Sequence, residues 1–115
     1  MDGNQVVAHR ILTATVEGKR IQVEVRVFMP ICLSGGENWE CAYEIAWAAR
    51  RRRNSVGGLD SVQALFLALQ FIGAELYAGR PAELADLTWL KPGQGYGFLL
   101  PPNLRDLAVG EDKML

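Results

Sequence analysis

The sequence predicts an α+β domain: an antiparallel β-meander of three to four strands packed on one long α-helix, in the order β-β-β-α-β. Three observations carry this. Residues 21–28 alternate strictly, with Ile21, Val23, Val25 and Val27 on one side and Gln22, Glu24 and Arg26 on the other. Trp39, Cys41, Tyr43, Ile45 and Trp47 recur at the same period of two. From Gly57 to Pro81 the pattern becomes that of a helix with clear start and stop signals.

Taken in order, residues 6–16 are rich in β-branched side chains and read as a first strand. Glu17-Gly18-Lys19 supplies a turn into the second strand, so these two make a hairpin with one buried face. Met29-Pro30 ends the regular pairing or leaves a bulge, because proline has no donor for the ladder. Residues 34–38 form a loop tip, and the third strand follows over 39–47. Its aromatic face is expected to meet the helix, while Glu40, Ala42, Glu44 and Ala46 occupy the other face. Arg50, Arg51, Arg52 and Arg53 are assigned to the loop that leads to Gly57.

Asp60 is the expected N-cap, with Gln63 as its reciprocal partner. Gly79 is expected in the left-handed position that ends the helix, ahead of Pro81. One arc collects Val62, Leu65, Phe66, Leu69, Ile72, Leu76 and Tyr77, and its bulk marks it as the core face. The other arc is rich in alanine and carries Leu67 and Phe71 as an i,i+4 apolar pair. Either the C-terminal segment or a second subunit or partner helix covers it. Beyond the helix, residues 82–90 hold a helical turn and a strand start, 96–100 a short last strand, and 103–108 a final turn. The chain is a single domain, 1–115, with an ordered core of about 5–102 and a tail over 109–115.

Composition narrows the function. Hydrophobic residues at 50% and charged residues at 22% are ordinary for a globular domain. A net charge of −1 disfavours nucleic acid as a partner. No apolar signal core and no uninterrupted run of ~18–20 apolar residues is present, so a soluble, cytoplasmic protein without membrane attachment is expected. Cys32, Cys41 and the one histidine, His9, cannot build a standard zinc site. A hairpin centred between Gly36 and Glu37 would set Cys32 opposite Cys41, although reduced thiols are the expectation in a cytosolic protein. His9 lacks a nearby nucleophile or orienting group, and Cys41 sits on the core face. Gly93 to Gly97 lacks the strand–helix context of a phosphate loop. No catalytic, metal-binding or cofactor-binding residue is assigned, and no cofactor is expected. The arginine run reads as a solvated loop, a contact for an acidic protein surface, or a phosphate or nucleic-acid site.

Gly57-Gly58-Leu59-Asp60-Ser61-Val62-Gln63-Ala64-Leu65, with Ala68-Leu69 and Ile72-Gly73, resembles the signature helix of a small bacterial family without assigned function. In that family an aromatic strand like Trp39 to Ile45 precedes the helix. A Trp and a Gly-Tyr-Gly-Phe end follow it, matching Trp89 and Gly95-Tyr96-Gly97-Phe98. The resemblance covers most of residues 6–100 and implies no particular mechanism. The arginine run and the tail after Pro101 fall outside it.

The functional expectation is a non-enzymatic protein-binding module, most concretely an immunity- or antitoxin-type protein that neutralises a cognate bacterial toxin. Its candidate contacts are Glu40, Glu44, Arg50 to Arg53, Leu67 and Phe71. The alternatives are a self-associating domain, dimerising through the alanine-rich helix face, and a small enzyme using Cys32 or His9 with a carboxylate.

Overall fold

The structure, a computed structural model, describes residues 4–115. Five strands form one antiparallel sheet: β1 (Val6–Val16), β2 (Lys19–Phe28), β3 (Ile31–Ser34), β4 (Asn38–Trp47) and β5 (Arg50–Gly58). One long helix, α1 (Ser61–Ala78), follows them, and then three short 3-10 turns at Ala82–Leu84, Pro102–Leu107 and Gly110–Met114. The class is α+β, with the strands before the helix.

β4 is the hub of the sheet. Along one edge it pairs with β2, from Glu24↔Ala46 to Val27↔Tyr43, and then with β3, at Ile31↔Glu40 and Cys32↔Trp39. Met29 and Pro30 interrupt what is otherwise one long strand, and the Met29 N–H instead donates to the Gln5 carbonyl at 2.8 Å. Cys32 therefore faces Trp39 and not Cys41. A register shift between Cys32 and Ser34 places the hairpin differently from the symmetric turn expected. Both thiols are free, Cys32 exposed and Cys41 buried.

The arginine run is not a loop. Arg50 to Arg53 begin β5, which pairs with the other edge of β4 from Trp47↔Arg50 to Trp39↔Gly58. Nothing local in Arg-Arg-Arg-Arg encodes a strand; the exposed edge of β4 imposes it. After the helix, the expected strand over 96–100 is absent. Gly95 and Gly97 adopt φ of +87° and +77°, which breaks an extended ladder even though Tyr96, Phe98 and Leu100 point inward as a strand would send them.

α1 starts as anticipated. The Asp60 carboxylate accepts from the Gln63 N–H at 2.7 Å, and the Gln63 side chain accepts from the Leu59 N–H at 2.7 Å. Gly79 ends it at φ −106°, not in the left-handed region.

The faces differ from the expected arcs. Ala64, Ala68, Ile72 and Leu76 are fully buried, whereas Val62 is 72% exposed and Phe66 49%. The sheet explains the reversal. Its inner face already supplies Tyr43, Ile45 and Trp47, and at Gly58 any Cβ would meet the Ala64 backbone nitrogen at 2.5 Å. A bulky sheet needs a small helix face if the interior is to reach crystal-like density. The 18 residues of α1 have the length and mean hydropathy, 1.3, of a membrane span. Five of its residues, Ala64, Ala68, Ile72, Gly73 and Leu76, are buried within the domain.

Candidate interaction surfaces

Strand geometry divides the arginine run, two to each face. Arg51 and Arg53 join the face turned away from α1, with Glu24, Arg26, Glu40 and Glu44. Glu24 meets Arg26 at 2.9 Å and His9 at 3.4 Å, and Glu44 accepts from Arg51 at 2.7 Å. The Arg53 guanidinium lies 4.2 Å from the centre of the Phe28 ring. Beside it is a hollow of about 210 Å3 lined by Met29, Ile31, Ala42, Glu40, Arg53 and Asn4, whose side-chain oxygen accepts from the Arg53 guanidinium at 3.1 Å. Among the described residues Glu40 has no ion-pair partner.

Arg50 and Arg52 point to the helix side. With Trp47, Ala74, Glu75 and Ala78 they line a cleft of about 390 Å3 between β5 and α1. Arg52 Nε donates to Glu75 at 2.6 Å, and the buried Tyr43 hydroxyl donates to the other Glu75 oxygen. Burial, followed by that carboxylate, pushes the Tyr43 hydroxyl pKa upward. The network holds Arg52 against the helix. Phe71 precedes Glu75 by one turn and shares its stripe, with Leu67 one turn further back. Leu67 packs partly against the core, while Phe71 stays 45% exposed.

A third constellation escaped sequence reading. Asp112, 2% exposed, accepts from the Tyr96 and Gly97 N–H groups at 2.8 Å each and from the Tyr77 hydroxyl at 2.6 Å. It lies in the stretch 109–115 that was expected to be a tail. Arg10 lies over the rings of Trp89 and Phe98, at 3.7 and 4.7 Å from their centres, and donates to the Tyr96 and Gly97 carbonyls. Burial lowers its pKa, an effect that Asp112 opposes. A Cβ at Gly95 would collide with the Asp112 carboxylate, and one at Gly97 with Trp89 and Arg10. The Gly-Tyr-Gly-Phe motif is thus a backbone held between an acid and an arginine. Its glycines hinted at this; a lone Asp in an apolar-poor terminus did not.

The remaining chemistry-bearing side chains are dispersed. Burial pushes the Cys41 thiol up to about 11, which leaves it protonated and unreactive at neutral pH. Cys32 lies on β3, which continues the line of β2 beyond Met29 and Pro30, well away from His9 on β1. Among the described residues no group of three His, Cys, Asp or Glu side chains is placed to hold a metal ion.

A family model described as a domain of unknown function, DUF6968, matches residues 8–100. The chain belongs to that family. The DUF6968 match runs from β1 through the Gly-Tyr-Gly-Phe motif and stops before Asp112, the residue that clamps the motif. Comparison with curated proteins and with solved structures gave no match.

Proposed function

We propose that this DUF6968 domain is a non-enzymatic protein-binding module, most concretely a cytoplasmic bacterial protein of the immunity or antitoxin type. The observation that supports it is the sheet face opposite α1. An apolar lining of Met29, Ile31 and Ala42 lies between the unpaired Glu40 and the ring-stacked Arg53. An apolar centre with a charged rim is the usual anatomy of a protein interface, in which arginine is enriched. The partner chemistry that suits it is a small apolar projection flanked by a basic group for Glu40.

The test has two stages. The tagged protein retains one stoichiometric partner from host lysate; Glu40→Arg and Arg53→Glu abolish retention, and Arg20→Glu, at the opposite end of β2 beside the β1–β2 turn, preserves it. Co-expression with the isolated partner then reports on neutralisation. A complex indifferent to both reversals removes this face from consideration, and a harmless partner removes the immunity reading. Arg52 is unsuited to such a test, because reversing it sets a carboxylate against Glu75 and so perturbs the domain as well as its surface.

A further inference from the structure

We propose that β5 pairs antiparallel with β5 of a second copy, centred on Asn54, to give a two-fold dimer with one continuous sheet. This differs from a dimer built on the alanine-rich helix face, since Ala64 and Ala68 are already buried within the domain.

The first ground is that the edge is open. β5 pairs with β4 alone, and among the described residues no backbone hydrogen bond joins it to any other segment. Its register with β4 runs through nine pairs without a bulge, and it contains no proline. Such an edge, about 30 Å long, is a template for another strand.

The second is the order of residues along it. Arg50 to Arg53 fill the first half of β5, and Ser55, Val56, Gly57 and Gly58 fill the second. Pairing centred on Asn54 sets Arg50 across from Gly58 of the second copy, Arg51 from Gly57, Arg52 from Val56 and Arg53 from Ser55. Every arginine then faces a small or apolar residue. A register centred within the arginines would place like charges directly opposite, which is destabilising. Asn54 is the midpoint of the strand, so this is the register that pairs all nine residues while keeping every arginine apart from another, as an isologous interface requires.

The third is the helix. α1 packs over β4 and β5 alike. A helix centred between those strands lies about one strand spacing from the proposed axis. The two helices would run about 9.6 Å apart, within the usual 8–10 Å for packed helices. The flank each would present is the stripe beside the β5 cleft, with Phe71, Ala74 and Ala78. The small residues permit that approach, and the exposed Phe71 ring gains cover.

The experiment is a mass measurement by light scattering on the full chain at sub-millimolar concentration, with circular dichroism to check folding. The unaltered protein should give twice 12.7 kDa. Gly57→Arg, whose Cβ would make an ordinary 3.8 Å contact with the Trp39 carbonyl oxygen within the monomer, sets arginine against Arg51 of the second copy and should weaken dimerisation by about tenfold or more. Adding Arg51→Glu should restore it. A monomeric parent protein overturns the proposal, as does a dimer that Gly57→Arg leaves intact. A monomer that dimerises only with an added acidic peptide also overturns it, by assigning the edge to another strand. Gly57 lies beside Glu40 in the β4–β5 register and Arg53 is on β5, so mass and partner retention are both measured on Gly57→Arg, Glu40→Arg and Arg53→Glu; a change in mass alone bears on the dimer and a change in retention alone on the partner face.

Discussion

The two edges of the sheet are finished in opposite ways. At β1, Thr13 and Thr88 exchange backbone hydrogen bonds of 2.9 Å, and the Asp86 carboxylate accepts from the Thr15 N–H. The segment after the helix thereby covers the ladder at Thr13 to Thr15. At β5 no segment among the described residues covers it, and the strand carries four arginines. One edge is satisfied by chain and the other is guarded by charge. Both are established means of restraining an edge, but only the second leaves backbone donors and acceptors available to another polypeptide.

The largest effect on this contrast should come from Asp112→Ala. Three donors lose their acceptor in a buried site, at a cost of about 3 kcal/mol by urea denaturation. The segment from Asp86 to Gly97 should loosen against β1, so amide exchange should accelerate at Thr13 and Thr15 and stay unchanged along β5. Equal acceleration at both edges would mean that Asp112 supports the whole core and not one edge.

Alkaline pH should erode both sides. The Cys41 pKa rises from 9.0 to about 11, and burial also raises Tyr43, on β4 beside β5, and Tyr77, which donates to Asp112. Each group is neutral in the folded state while its unfolded counterpart ionises. The stability they contribute is therefore complete below about pH 9 and is lost as pH rises through the folded values. Cys41 alone should account for about 2 kcal/mol between pH 9 and 11. Stability that is flat across this range in Cys41→Ala and unaltered protein alike would contradict the assignment.

Asp86→Ala should cost about 1 kcal/mol and raise exchange at Thr15 specifically. The smallest effect belongs to Arg51→Ala. Its pair with Glu44 is exposed on the arginine side, so thermal unfolding should change by no more than about 0.5 kcal/mol. A larger loss would show that the charged edge also supports the monomer.

Legibility followed the range of the interaction. The strand over Val6–Val16, the alternating strand before Phe28, the aromatic face of β4 and the Asp60–Gln63 cap rest on neighbours two to four residues apart. The candidate contacts were nameable because charge and apolar pairs are visible as residue types. Their grouping was not. Arg50 and Arg52 separate from Arg51 and Arg53 because the run is a strand, and Leu67 and Phe71 come to flank it because α1 lies over β5.

Alternation, capping and helix punctuation are local, and from them the sequence by itself determined that this is an α+β domain with a meander leading into one helix. The tertiary structure decided the rest. Pairing with β4 turned four arginines into an edge strand, and the bulk of Tyr43, Ile45 and Trp47 selected alanines over Val62 and Phe66 for the helix face. A carboxylate 15 to 16 residues away fixed the glycine motif. Each outcome depends on which groups meet across space, where volume and unsatisfied hydrogen bonds outweigh local preference.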